Sequence, residues 1–141
     1  VPLTVYKDHL RVEKAARLHG VAVKLSSSPD LFPVLAALCA LAEGNSELYG
    51  APQLVYKESD RIAKMKELLS ATGRTVETTN DGVKIGGKFS PGEILFDPDH
   101  DHRLAMAAGV LMLAGVPIRL KHPQVTDKSF PGFWPAIGVR P

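Results

Sequence analysis

The order of local patterns between residues 21 and 85 constrains the fold more than any other feature of the chain. Val21–Leu25 alternates as a strand does, and the Ala/Leu-rich run ending near Glu43 reads as a helix. Ser26-Ser-Ser28 offers hydroxyl N-caps to that helix, Pro29 suits its first position, and Gly44 predicts a left-handed stop. Ser46–Tyr49 reads as the next strand. A second helix is predicted over Glu58–Thr72, with Ile62, Met65, Leu68 and Leu69 on one face and Gly73 as its end. Thr75–Thr79 and Val83–Ile85 flank Asn80-Asp81-Gly82, a hairpin signal. The succession is strand, helix, strand, helix, strand, strand, and it then begins again. Glu93–Phe96 predicts a strand, Asp101 caps a helix running to near Ala114 with Gly115 as its stop, and Pro117–Leu120 predicts another strand. A short helical piece around Phe130–Ile137 follows. Upstream, Leu3–Tyr6 predicts a short strand and Leu10–Leu18 a weak helix ending at Gly20. No Gly- or Ser-rich linker divides the two units, so the pattern predicts one continuous α/β domain.

Composition narrows the function classes. The 141 residues are 45% hydrophobic and 23% charged, enough for one modest core and far from the composition of disorder. A net charge of +2 is too small to demand a nucleic acid or an anionic membrane as partner. The single cysteine, Cys39, excludes an internal disulfide, reads as a buried thiol among Leu38, Ala40 and Leu41, and fits a reducing, cytoplasmic setting. The apolar stretches around Leu31–Ala42 and Leu104–Val116 are too short or interrupted to span a bilayer. A chain that starts at Val1, without an initiator Met or a signal-peptide layout, is expected to be part of a longer polypeptide.

Four polar clusters sit where a strand gives way to a helix, a place rich in free backbone N–H groups and favourable to anions. They are Ser26–Asp30, Lys57–Arg61, Asp97–Arg103 and Thr126–Pro131. Each alone has an ordinary structural explanation. Asp30 in a helical first turn is a dipole partner, Lys57, Glu58, Asp60 and Arg61 are charges at a helix start, and Lys128 is an exposed lysine. Asp97–His102 packs three Asp and two His into six residues, which raises a metal-binding alternative. An Asp101 N-cap beside solvated side chains accounts for it without a metal, and the order differs from the His-x-His-x-Asp-His pattern of metallohydrolases. Phe130, Phe133 and Trp134 read as packing. Taken together, the clusters place Arg61, Arg103 and Lys128 at equivalent helix-start points, where such side chains clamp carboxylate or phosphate. Asp30 and Glu58 beside them are candidate proton carriers. The combination predicts chemistry on a small phosphorylated or carboxylated substrate.

Four segments then carry a resemblance: Ser28-Pro-Asp-Leu-Phe-Pro-Val-Leu-Ala-Ala-Leu38, Lys57-Glu-Ser-Asp-Arg-Ile62, Asp101-His-Arg-Leu-Ala-Met106 and Asp127-Lys-Ser-Phe-Pro-Gly-Phe133. In this order and spacing they resemble the C-terminal motifs of the 5-enolpyruvylshikimate-3-phosphate synthases, over about Val21 to Ile137. The related UDP-N-acetylglucosamine enolpyruvyl transferases resemble the chain less. The resemblance implies part of an inverse α/β barrel built from β-α-β-α-β-β repeats. Residues 1–20 would then be the tail of a preceding repeat, 21–90 a complete repeat and 91–141 a partial second one, all within one C-terminal domain.

The implied reaction joins the 5-hydroxyl of shikimate 3-phosphate to C2 of phosphoenolpyruvate and expels phosphate, with no metal or organic cofactor. By resemblance, Asp30 faces the 5-hydroxyl as base or orienting group, and Glu58 shuttles a proton at the enol methylene. Lys57 contacts the shikimate hydroxyls, Arg61 and Arg103 hold the phosphoenolpyruvate carboxylate, and Lys128 lies at its phosphate end. Gln53 stands where many members place a substrate-binding Asn. Ligands from the family's earlier segments and N-terminal domain lie outside these motifs, which implies an inactive piece with an apolar face exposed. The alternative of another class is a non-catalytic binding module that keeps the fold.

Overall fold

A computed structural model describes residues 2–13 and 16–141. Strand β1 (Leu3–Val5) pairs antiparallel with β2 (Leu10–Val12) in a two-stranded ribbon. The predicted helix over Leu10–Leu18 is therefore corrected: its first residues are extended, 16–18 are not helical, and Lys14 and Ala15 lie outside the described residues. Strand pairing overrides a weak helical pattern here because Leu3↔Val12 and Val5↔Leu10 face each other across the ribbon. Those four apolar side chains share one face, and each is more than half exposed.

The next unit follows the predicted succession. Strand β3 (Ala22–Lys24) leads through a 3-10 turn (Pro29–Leu31) into α1 (Phe32–Leu41), and β4 (Ser46–Tyr49) lies parallel to β3. A second 3-10 turn (Pro52–Tyr56) precedes α2 (Arg61–Ala71), and β5 (Thr75–Thr79) and β6 (Gly82–Gly86) close the unit. The sheet order is β3-β4-β6-β5, with β6 antiparallel to both of its neighbours. Gly82 is required where the hairpin meets β4, since a Cβ there would lie 1.8 Å from the Leu48 carbonyl oxygen.

The predicted serine cap is also corrected. No side chain of Ser26–Ser28 caps α1, because the 3-10 turn intervenes and puts Leu31 at the helix N-cap. Ser26 instead donates to the Gly50 carbonyl at 2.9 Å, tying the end of β3 to the end of β4. Helix α2 starts three residues later than predicted because Asp60 takes the cap, its carboxylate accepting from the Ala63 N–H at 3.0 Å.

A second parallel pair, β7 (Ile94–Phe96) and β8 (Ile118–Leu120), brackets α3 (His102–Leu113). A 3-10 turn (Pro123–Lys128) and α4 (Phe133–Ile137) follow. The two units meet where α1 packs on α3. Ala36, Ala37 and Ala40 on α1 and Ala105, Ala107 and Ala108 on α3 are fully buried, and such small side chains let two helices approach closely. The same core takes in Met65, Leu68 and Leu69 from α2 and Phe96 from β7. The metal alternative finds no support, since no group of three or more His, Cys, Asp or Glu among the described residues is arranged so that it could hold a metal ion. No helix among them is long and apolar enough to cross a membrane.

Arg74 ties the end of α1 to the hairpin. Buried between α2 and β5, it donates to the Ala40 carbonyl at 2.8 Å, to the Gly87 carbonyl at 2.5 Å, and to the Ala42 carbonyl. Arg74→Ala would leave these acceptors without partners inside the core, an expected loss of about 3 kcal/mol. Thermal denaturation should show a fall of about 10 °C, while Lys84→Ala, in an exposed pair with Glu47, should leave the midpoint nearly unchanged.

Candidate active site

All four polar clusters follow the C-terminal ends of the parallel strands, the edge at which open α/β sheets bind ligands. Asp30 lies in the 3-10 turn after β3, and Lys57 and Glu58 in the segment after β4 that leads into α2. Asp101 and Arg103 stand at the start of α3 after β7, and Lys128 ends the turn after β8. Docking of α1 on α3 sets these ends side by side.

Arg61 is the centre of the cluster. Its side chain is 1% exposed although it begins a helix, where a cation opposes the dipole and needs acidic partners. Three carboxylates provide them. Nε donates to Asp101 at 2.8 Å, Nη1 to Asp30 at 2.9 Å and Nη2 to Glu58 at 2.8 Å, with a longer Nη2 contact to Asp101 at 3.4 Å. Asp101 is wholly buried and also accepts from the Arg103 backbone N–H at 2.9 Å and the Ser59 hydroxyl at 3.3 Å.

Around this centre stand three more cations, Lys128 exposed and Lys57 and Arg103 half-buried. Lys57 and Arg103 approach Asp30 at 3.4 and 3.2 Å, and Lys128 approaches Glu58 at 3.5 Å. The cluster thus holds four cations and three carboxylates, an excess of one positive charge facing solvent. Six of the seven sequence-derived site residues meet here: Asp30, Lys57, Glu58, Arg61, Arg103 and Lys128. Gln53 does not join them by any hydrogen bond among the described residues; it is half-buried in the Pro52–Tyr56 turn.

The charges set the protonation states. Partial burial works against the Asp30 carboxylate, but the Arg61 hydrogen bond and the charges of Arg103 and Lys57 outweigh it and hold its pKa below the usual carboxylate range. For Glu58, a hydrogen bond from its own backbone N–H is the largest influence and lowers the pKa. Burial and the Asp101 charge push back, while Arg61 and Lys128 add to the lowering. Both are ionised at neutral pH in this state.

Two residues of the cluster escaped the sequence reading as site members. In the sequence Asp101 reads as a helix cap, a role it also fills, and otherwise only within the metal alternative of Asp97–His102. His102 is buried beside it, its Nδ1 has no hydrogen-bond partner among the described residues, and burial drives its pKa down so that the ring is neutral. The Asp101-His-Arg segment held the signal for both, but nothing in its local pattern shows burial.

A family model for EPSP synthase (3-phosphoshikimate 1-carboxyvinyltransferase) matches residues 2–137. The chain belongs to this family. A 3-phosphoshikimate 1-carboxyvinyltransferase of Methanoculleus marisnigri is 40% identical over 130 residues, which is 92% of this chain and 31% of the relative. The enzyme of the same name from Halorhodospira halophila is 44% identical over 128 residues, 88% of this chain and 29% of the relative. Among solved structures, EPSP synthase from Acinetobacter baumannii superposes with a TM-score of 0.73 at 30% identity, covering 86% of this chain and 30% of that one. The enolpyruvyl transferase NikO from Streptomyces tendae shares the fold, with a TM-score of 0.71 at 21% identity. The chain spans about a third of the length of the curated relatives it matches, and its α/β architecture is part of the enolpyruvyl transferase fold.

Proposed function

We propose that this chain supplies one wall of the active site of a 3-phosphoshikimate 1-carboxyvinyltransferase. The enzyme moves the enolpyruvyl group of phosphoenolpyruvate to the 5-hydroxyl of shikimate 3-phosphate. The observation that carries the reading is the convergence of Asp30 and Glu58 on Arg61, with Lys57, Arg103 and Lys128 around them. Two carboxylates held on a shared cation and flanked by solvent-facing cations suit a reaction of anions that needs proton transfer at two places.

In the addition step Glu58, protonated, gives its proton to the C3 methylene of phosphoenolpyruvate. The 5-hydroxyl oxygen bonds to C2 as its proton passes to Asp30, which orients the hydroxyl beforehand and returns the proton to the phosphate that leaves later. In elimination the Glu58 carboxylate removes a proton from the new methyl group, the C2–O bond to phosphate breaks, and inorganic phosphate leaves. Glu58 and Asp30 are held ionised by the cations around them, so substrate must raise the proton affinity of Glu58. An anionic substrate does this by engaging Lys128 and Arg103, which then no longer hold Glu58 and Asp30 low. Arg103, with 40% of its side chain exposed, reaches the substrate carboxylate first. Arg61 reaches it by releasing Asp30 or Glu58, since its Nη groups are engaged there. Lys57 serves the shikimate hydroxyls, and Gln53 stands at their margin.

We read residues 21–90 as a full β-α-β-α-β-β repeat, 91–141 as part of a second and 1–20 as the tail of a preceding one. The opposite wall, with further ligands for both substrates, would come from the roughly two thirds of the relatives' length outside the matched span. The test is phosphate release from the two substrates by this chain mixed with that complementary part of the Methanoculleus marisnigri relative. Release that needs both pieces is the expected result. Background release from a mixture that forms a stable complex would overturn the reading in favour of a non-catalytic module.

A further inference from the structure

Arg61 links carboxylates from three separate segments, and its geometry depends on the one that the proposed chemistry does not use. Asp101 is buried, two contacts tie it to Nε and Nη2 of the guanidinium, and two further donors fix its own oxygens. A guanidinium is planar, so a partner that grips its Nε edge sets the direction of both Nη groups.

We propose that Asp101 is a positioning residue of this site: by gripping the Nε edge of Arg61, it aims Nη1 at Asp30 and Nη2 at Glu58. It thereby holds the candidate base and the candidate proton shuttle against one shared cation. The proposal rests on the functional reading above for the roles of Asp30 and Glu58, and on distances alone for the grip. Asp101 does a second thing through the same contacts. Its negative charge offsets part of Arg61's charge, so that Arg61 does not bind Glu58 so tightly that the carboxyl cannot take up a proton. Glu58 is faced by Arg61 from α2, Lys128 from the turn after β8, and Asp101 and His102 from the start of α3. Within that set Asp101 is the group whose charge opposes Arg61 and Lys128.

The experiment is a carboxyl-carbon NMR titration of the chain and of Asp101→Asn and Asp101→Ser. Both substitutions keep an oxygen that can cap α3 and remove the charge. Glu58 is expected to titrate at lower pH in Asp101→Asn than in the native chain, because Asn loses the charge but keeps an acceptor for the Arg61 Nε–H and so the aim of Nη2. In Asp101→Ser, whose shorter side chain releases that edge, Glu58 should titrate above its value in Asp101→Asn. Asp97, whose pKa is lowered first by the Asp99 N–H and then by Lys121, is expected to stay where it is. A purely structural role for Asp101 would lower the melting temperature without moving Glu58 relative to Asp97.

The native chain provides an independent arm. The Arg61 Nε–H should exchange slowly, and its Nη1 and Nη2 groups should give separate signals because rotation about Nε–Cζ is blocked. An unmoved or raised Glu58 midpoint in folded Asp101→Asn overturns the proposal, and so does a freely rotating Arg61 in the native chain. Neither readout involves turnover, so a failure of the transferase reading would appear in the phosphate assay and not here.

Discussion

Arg61→Met should destabilise the folded chain by about 4 kcal/mol, the expected cost of removing one partner from a buried ion cluster and leaving the others uncompensated. The methionine fills much of the same volume, so the loss is electrostatic more than a packing defect. Asp101 is hit hardest, being wholly buried with Arg61 as its counter-ion, whereas Asp30 and Glu58 are partly exposed and keep Lys57, Arg103 and Lys128. Urea denaturation at pH 7 reads the difference. A change below about 1 kcal/mol, the range of an exposed pair, would mean that the cluster is solvated and the buried geometry wrong.

The acid limb of the stability curve gives a second readout of the same variant. Asp30 and Glu58 have folded-state pKa values below their ordinary values of 3.8 and 4.5. Their contribution is therefore fully present above those values and is lost as pH falls through the lowered folded-state ones. In Arg61→Met the part of the lowering that Arg61 supplies is relieved, so the acid destabilisation below about pH 5 should be less steep. Denaturation midpoints at closely spaced pH values distinguish the two profiles.

The second large effect concerns turnover in the assembled enzyme. Glu58→Gln should lower kcat by about 1,000-fold, within the usual range for removing a positioned proton carrier. The amide keeps the size of the side chain and can still meet Arg61 and Lys128, but it cannot give a proton to the methylene and take one back. KM for phosphoenolpyruvate should change little, because the cations that meet the substrate are untouched. A variant with native kcat would remove Glu58 from the proton path. A variant with raised KM and native kcat would make Glu58 a binding residue only.

Local physics made much of the fold legible. Gly73 and Gly115 end α2 and α3 at φ +84° and +85°, conformations that other residues adopt at a cost, so those two predicted stops are real. Helix α1 instead ends at Leu41 with Ala42 already extended, short of the stop predicted at Gly44. The buried face of α2 is the face read from its spacing, and the β5–β6 hairpin closes at the Asn80-Asp81 turn. The misreadings arose where two local forces competed. At Leu10–Val12 a cross-strand apolar pairing outweighs a weak helical pattern, and at Ser26–Ser28 a 3-10 turn displaces the helix start so that the hydroxyls cap nothing.

By itself the sequence determined which residue types gather at the strand ends: two candidate proton carriers and four cations, each at a helix start within a repeated β-α-β order. That follows from short-range rules, because turn residues, caps and apolar spacing act over a few positions. The tertiary structure alone decided which acid meets which cation. Arg61 and Asp101 lie 40 residues apart and make their 2.8 Å contact only because α1 and α3, lined with alanines, pack closely enough to bring two sheet edges together. Charge types and spacing do not encode that contact. Burial does, since an arginine removed from water must take the carboxylates within its reach, and only packing sets which ones those are.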